Sequence, residues 1–188
     1  MTKVKVIFLC LNPMEFIRKF GIKSVLKASF FSVFLGLLII GALFVAKKHY
    51  LGDKYYFGIL ISDSIVGKDF VVVDKEHSLK NLKGEILAFD FPLDTDYFKK
   101  GKSFAKYVKC EEGDLLENKS GKFYCNGEFI GGALPKDSKG NPVQDFKWNG
   151  IIPKDSFFVM GTHTYSFDSR YWGFVTKKDV KGVVVWLQ

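Results

Sequence analysis

The chain has 188 residues, a length that suits one compact domain with short appendages. Its formal net charge is +8 at pH 7, but the charge is uneven: residues 1–27 hold six basic side chains and one acid, a net +5, and the remainder carries +3. A basic excess gathered ahead of an apolar segment indicates membrane topology and contact with membrane lipid, and we expect no nucleic-acid partner.

Residues 28–46 (ASFFSVFLGLLIIGALFVA) contain no charge and no proline. As a helix of about 1.5 Å per residue they would reach roughly 28 Å, close to the thickness of a bilayer core. A cleavable signal peptide is the alternative, but its apolar core is typically about 7–15 residues and precedes small residues, whereas Lys47 and Lys48 follow here. We therefore predict a cytoplasmic basic segment at 1–27, one transmembrane helix at 28–46, and a domain at 47–188 outside the cytoplasm.

Ahead of this helix, an apolar run at 4–11 ends at Asn12 and Pro13. Such a run fits a short interfacial helix or a second, partial membrane element. The sequence leaves both interpretations open.

Beyond the membrane segment the chain consists of short runs rich in Val, Ile, Phe and Tyr, separated by Gly, Asp, Asn and Pro, a pattern typical of strands and turns. Predicted strands lie at 55–61, 69–74, 85–89, 103–110, 122–125, 157–160, 171–175 and 182–187. Asn126 and Gly127 predict a tight hairpin turn, and 131–150 is predicted to form a surface loop between strands. The fold class is mainly β, a barrel-like or sandwich domain preceded by one transmembrane helix.

Of the three cysteines, Cys10 falls on the cytoplasmic or membrane side, whereas Cys110 and Cys125 fall in the exported part. Two cysteines in an oxidising compartment are candidates for a disulfide. The bond would close a loop of about 15 residues and stabilise the fold by on the order of 3 kcal/mol. Two free buried thiols remain the alternative. The three histidines give no ligand set at zinc-finger spacing, so we expect no metal and no cofactor.

Two segments carry residues suited to nucleophilic chemistry. Ser62 and Ser64 follow an apolar run, where a simple turn is the alternative interpretation. In the strand 103–110, alternation places Lys106 among apolar side chains and Lys109 on the opposite, solvated face. Burial disfavours the charged form of a lysine, which lowers its pKa and suits it to act as a general base; a side chain snorkelling along an edge strand is the alternative.

The segment GTHTYSFDSRYWG at 161–173 gathers polar, charged and aromatic residues between two strand-like runs. It resembles the C-terminal signature of type I signal peptidases, Gly-Asp-Asn…Ser-x-Asp-Ser-Arg-Tyr-x-Gly. Further elements resemble that family in the same order: the membrane anchor, SDSI at 62–65, KGEILAF at 83–89, KYVKCEEGD at 106–114, and FYCNG at 123–127. The resemblance covers 28–130 and 150–185.

The resemblance implies a serine-lysine peptidase, the type called S26, and assigns a role to each matching residue. Ser64 would be the nucleophile and Lys106 the general base, while the hydroxyl of Ser62 and the backbone N–H of Ser64 would form the oxyanion hole. Ser166 would orient the lysine, and Asp168 with Arg170 would form an ion pair that stiffens the site.

Departures from the signature suggest a branch of the family. Thr162 and His163 replace the expected Asp-Asn, and Glu112 stands where a proline is usual. These changes resemble the conjugative-transfer peptidases of the TraF type, which process pilin precursors. A triad of Ser64, His163 and Asp168 is a weaker alternative, because no nucleophile-elbow motif supports it.

The resulting expectation is a single-pass inner-membrane endopeptidase with a periplasmic catalytic domain, cutting next to small residues (Ala-x-Ala-like) in a pilin or another exported precursor. Two alternatives stay open. One is a transpeptidase that cyclises a pilin with the same serine and lysine. The other is a non-catalytic envelope or pilus assembly protein built on the same β scaffold.

Overall fold

The computed structural model describes residues 22–46, 48–49, 53–59, 65, 67 and 69–188. The chain divides into two compact units, Met1–Gly52 and Asp53–Gln188, which we describe separately. Several predictions fall outside the described residues: the apolar run at 4–11, Cys10, and the serine segment that contains Ser62 and Ser64.

The first unit contains one long helix, α1 (Ile22–Ala46), which begins six residues ahead of the predicted membrane segment. Its stretch Ser29–Ala46 has a mean hydropathy of 2.5 and exposes large apolar side chains such as Phe30 and Phe44. Among the described residues it is the one helix with the length and apolarity to cross a membrane.

The described part of the second unit contains eleven strands, which are all paired in antiparallel fashion. In chain order they are β1 (Tyr55–Ile59), β2 (Phe70–Asp74), β3 (Ile86–Asp90), β4 (Ser103–Glu111), β5 (Leu115–Lys119), β6 (Lys122–Cys125), β7 (Glu128–Gly132), β8 (Asn149–Ile151), β9 (Ser156–Met160), β10 (Val175–Thr176) and β11 (Val180–Leu187). A curled seven-stranded sheet has the order β1-β2-β11-β3-β4-β9-β10, and a smaller sheet has the order β7-β6-β5-β8. The mainly β fold class is therefore confirmed.

The large sheet is buried on both faces at its centre. In β3, Leu87 and Phe89 join one apolar cluster, and Ile86 and Ala88 join another. Because side chains alternate along a strand, a strand that is apolar at every position must be covered on both sides. A third cluster, centred on Phe123 and Phe158, packs where the two sheets meet.

A disulfide joins the two sheets. The Sγ atoms of Cys110 on β4 and Cys125 on β6 lie 1.97 Å apart, with their Cα atoms at 5.8 Å, so the two sulfurs are bonded rather than free. Both cysteines are buried. The carboxylate of Asp114 lies close to the bonded sulfurs, but these are not thiolates and are not available as metal ligands.

Most of the strand predictions agree with the structure. The Asn126-Gly127 turn is confirmed: both residues have positive φ, 51° and 82°, as a two-residue hairpin requires. The strand predicted at 171–175 is wrong, because Ser169–Trp172 form a short helix, α2, and only Val175–Thr176 are extended. The Asp168 side chain caps this helix by accepting a hydrogen bond from the backbone N–H of Arg170 at 3.2 Å.

The segment 131–150, predicted as a surface loop, is hydrogen-bonded to α2. The backbone N–H of Leu134 donates to the Tyr171 hydroxyl at 2.9 Å, and that of Phe146 donates to the Arg170 carbonyl at 2.7 Å. The segment is therefore an irregular connection that packs against the 161–173 segment.

Candidate active site

Lys106 lies in the middle of β4, opposite Leu87 of β3, and its side chain is only 1% exposed. The pKa of Lys106 is lowered from its ordinary 10.5 to about 8. Burial is the largest cause; the charge of Asp168 raises the pKa in part, and the charge of Arg170 lowers it. A lysine with such a pKa has an appreciable neutral fraction near neutral pH. Its amine can then accept a proton.

Ser166 is the hydrogen-bond partner of Lys106, whose Nζ donates to the Ser166 Oγ at 2.8 Å. The backbone of Ser166 is held in turn: its N–H donates to the His163 carbonyl at 3.0 Å, and its own carbonyl accepts from Arg170. A hydroxyl can accept from an ammonium group and donate to a neutral amine. Ser166 can therefore hold Lys106 in place in either protonation state.

Asp168 and Arg170, which follow Ser166 in the chain, form a buried, bidentate ion pair. The Asp168 carboxylate accepts from Arg170 Nε at 2.8 Å and from Arg170 Nη2 at 2.7 Å. Asp168 is fully buried and Arg170 is 7% exposed. Two parallel charge-assisted hydrogen bonds fix both distance and orientation, so this pair stiffens the segment that carries Ser166.

Two backbone groups complete the network, and the sequence analysis missed both. The Gly161 N–H donates to the second oxygen of Asp168 at 2.9 Å, and the carbonyl of Gly132, the last residue of β7, accepts from Arg170 Nη1 at 2.7 Å. Backbone donors and acceptors exist at nearly every residue, so no sequence pattern distinguishes these two.

A groove of about 470 Å³ opens beside Lys106 and Ser166. Apolar and mostly small residues line it, among them Val71, Ala88 and Ala105, and so do aromatic rings. A second cavity of about 300 Å³ lies beside basic residues of the β2–β3 connection and contains none of the predicted site residues. The groove is therefore the candidate binding site.

His163 also lines the groove, but its contacts do not favour a catalytic triad. Its Nδ1 accepts a hydrogen bond from the backbone N–H of Tyr165 at 3.1 Å. The carboxylate of Asp168, which a triad would need, is occupied by Arg170 and Gly161.

Ser62 and Ser64 lie outside the described residues. The residue that follows them, Ile65, is 2% exposed and belongs to the same apolar cluster as Ala105, which precedes Lys106 in β4.

Comparison with known proteins finds similarity to signal peptidases. A family model described as "Signal peptidase, peptidase S26" matches residues 23–187. Signal peptidase I of Haemophilus influenzae is 32% identical over 83 residues, a stretch that covers 41% of this chain and spans only 21% of that relative. The crystal structure of a signal peptidase I from Enterococcus faecalis V583 aligns with a TM-score of 0.39 and 27% identity, over 57% of this chain and 98% of that one. Because the family model spans most of its length, the chain belongs to the S26 signal peptidases, a family of serine peptidases.

Proposed function

We propose that this chain is a membrane-anchored endopeptidase in which Ser64 is the nucleophile and Lys106 the general base. The observation that carries the proposal is the state of Lys106: a buried lysine with a pKa of about 8, hydrogen-bonded to Ser166 and lining an open groove. A structural lysine gains little from such a position, because burial of its charge costs free energy. A general base that works near neutral pH requires this environment.

In the proposed reaction, neutral Lys106 takes the proton of the Ser64 hydroxyl while Ser64 Oγ attacks the carbonyl carbon of the scissile bond. The backbone N–H of Ser64 and the hydroxyl of Ser62 stabilise the resulting oxyanion. Protonated Lys106 then gives its proton to the leaving amine, which forms the acyl-enzyme. The neutral lysine next activates a water molecule, which releases the acyl product.

The neighbours of Lys106 support this role. Asp168 raises the pKa of Lys106 against the stronger effect of burial, so the ammonium form remains accessible for protonating the leaving group. Ser166 restricts the rotation of the amine. Ile65, next in sequence to Ser64, packs in the cluster that contains Ala105, next in sequence to Lys106, which supports a pairing of Ser64 with Lys106.

The substrate class follows from the groove and the helix. Ala88, Ala105 and Gly58 line part of the groove, and such small residues suit an extended peptide with small side chains at the cleavage site. Helix α1 would anchor the enzyme in the inner membrane, with residues 1–27 in the cytoplasm and the β unit in the periplasm. Substrates would be exported precursors that lose a signal, leader or terminal peptide, with pilins or other conjugation proteins of the TraF-type systems as the first candidates.

The test is processing of a co-expressed pilin precursor by the full-length wild type and three variants. We expect Ser64→Ala and Lys106→Met to abolish processing. Lys109→Met is the matched control, because Lys109 lies on the same strand with its ammonium 5.6 Å from the Tyr107 ring centroid, and it should process normally. Processing that survives Lys106→Met would overturn the proposal.

The same experiment separates the alternative products. Mass spectrometry of the processed pilin distinguishes hydrolysis from cyclisation, because the cyclic product lacks one water relative to the cleaved linear chain. A wild type that processes no precursor and reacts with no serine-directed probe would identify a binding protein instead.

A further inference from the structure

The groove beside Lys106 is lined by residues from two apolar clusters. Val71, Ala88 and Ala105 belong to one, and Phe98, Phe104 and Phe167 pack against the other. Lys102 lies beside the aromatic group, with its Nζ 4.7 Å from the centroid of the Phe98 ring. A cation held over an aromatic face loses part of its conformational freedom before any ligand arrives.

The described residues that line the groove give it a positive charge. Lys102 and Lys106 are among them, and none of them is a carboxylate. Of the acids that precede Lys102, Asp90 pairs with Lys181 at 2.7 Å and Asp94 lies 3.8 Å from Lys99. Asp96, the nearest of them in sequence, is exposed and is not part of the groove lining.

The backbone beneath Lys102 is well fixed. Its carbonyl accepts from the Phe91 N–H at 2.7 Å, and the neighbouring Gly101 N–H donates to the Phe91 carbonyl at 2.9 Å. The lysine therefore extends from a hydrogen-bonded segment directly ahead of β4. A charge on a fixed base discriminates between ligands better than one on a mobile loop.

We propose that Lys102 is a specificity-determining residue that pairs with an acidic side chain of the precursor. Lys102 precedes Lys106 by four residues, which at about 3.3 Å per residue in a strand is roughly 13 Å. A substrate lying extended along β4 would bring a residue about four positions from the scissile bond to this ammonium. The inference rests on the proposed function, because it takes the groove as the substrate site and Lys106 as the marker of the scissile bond.

The test is a charge swap between enzyme and substrate. A processed precursor is prepared with Glu, Gln or Lys at the third, fourth and fifth residues on each side of its scissile bond. Initial rates at low substrate concentration give kcat/KM for full-length wild type, Lys102→Glu and Lys100→Glu. Lys100 lies on the same connection and outside the groove lining, so its variant changes the net charge equally without changing the groove.

We expect the wild type to prefer Glu over Lys by about tenfold at one of these positions, a size typical of a partly desolvated charge pair. Lys102→Glu should reverse the order at that same position, whereas Lys100→Glu should keep the wild-type order. The preference should shrink at high salt.

Equal cleavage of the Glu and Lys substrates at every position would overturn the inference, as would an equal effect of both lysine variants. If Ser64→Ala nevertheless abolishes cleavage of these substrates, only the role of Lys102 fails and the peptidase assignment stands. If cleavage persists in Ser64→Ala and Lys106→Met, the proposed function fails, and the inference about Lys102 fails with it.

Discussion

Replacing Asp168 by Asn tests the buried ion pair most severely. The amide has nearly the same shape as the carboxylate, so packing is preserved while the negative charge disappears. Asp168 accepts hydrogen bonds from two guanidinium nitrogens of Arg170 and from the Gly161 N–H. Arg170, which is 7% exposed, would keep its positive charge without a counter-charge.

The expected loss of stability is large. Removing one partner of a buried ion pair typically costs about 3–5 kcal/mol in the free energy of unfolding. The amide oxygen retains part of the hydrogen bonding, so we expect about 3 kcal/mol. For a domain of this size, 1 kcal/mol shifts Tm by about 3–5 °C, which predicts a decrease of roughly 10 °C.

The same substitution should change the pH dependence of the reaction. Asp168 raises the pKa of Lys106, whereas burial and Arg170 lower it. With Asp168 neutral, only the two lowering effects remain, so the pKa falls below its value of about 8. Since the neutral amine is the reactive form, the rising limb of kcat/KM against pH should move to lower pH.

The assay combines thermal unfolding with a pH–rate profile. Asp155→Asn is the matched control, because Asp155 is half-exposed and lies 3.9 Å from Lys177, and exposed pairs contribute about 0–1 kcal/mol. Its Tm and its profile should stay close to those of the wild type. An unchanged Tm for Asp168→Asn, or a rising limb of kcat/KM that moves to higher pH, would show that the ion pair does not have this role.

Three further predictions follow from single contacts. Ser166→Ala removes the hydrogen bond between the Ser166 hydroxyl and the Lys106 amine. A hydrogen bond to a charged group is worth about 1.5–3 kcal/mol, so kcat/KM should fall by about 10–100-fold. Ser166→Thr should restore part of the activity, and an alanine variant with full activity would contradict the role of Ser166. The double variant Cys110→Ala, Cys125→Ala should lose about 3 kcal/mol in the free energy of unfolding, because the disulfide closes a loop with a sequence separation of 15. Denaturant unfolding measures this loss, and equal unfolding midpoints for the variant and the wild type would refute the prediction. Gly173→Ala should lower the free energy of unfolding by about 2–3 kcal/mol, because φ is 91° and the added Cβ would lie 2.8 Å from Phe146 Cε2. The control is Gly140→Ala, with φ of 87° and open space around it, which should cost only about 1 kcal/mol. Equal losses of stability in the two variants would show that the contact with Phe146 does not matter.

The sequence was most informative where one physical pattern dominated. The continuous apolar run of β3 and the Asn126-Gly127 turn each have a single plausible structure. The alternation in β4 placed Lys106 on an apolar face and left a snorkelling side chain as the alternative; the structure shows the lysine buried, at 1% exposure. In each case the local pattern and the tertiary environment favour the same conformation.

Other features depend on contacts that sequence patterns do not display. Strand β5 has the sequence LLENK and β8 has three residues, so neither shows a clear strand pattern, and both are strands because of their neighbours. In α2, Tyr171 and Trp172 favour a strand by type, but the cap made by Asp168 favours a helical turn. The pairing of Lys106 with Ser166 spans 60 positions and was expected only from the family resemblance.

Activation of Ser64 by Lys106 can be measured as acylation by a serine-reactive probe, with the modified residue identified by peptide mass spectrometry. We expect an adduct on Ser64 in the wild type. We also expect a labelling rate that rises with pH through about 8, where Lys106 loses its proton, and no labelling in Lys106→Met. An adduct on another residue, or equal labelling rates for Lys106→Met and wild type, would contradict the activation of Ser64 by Lys106.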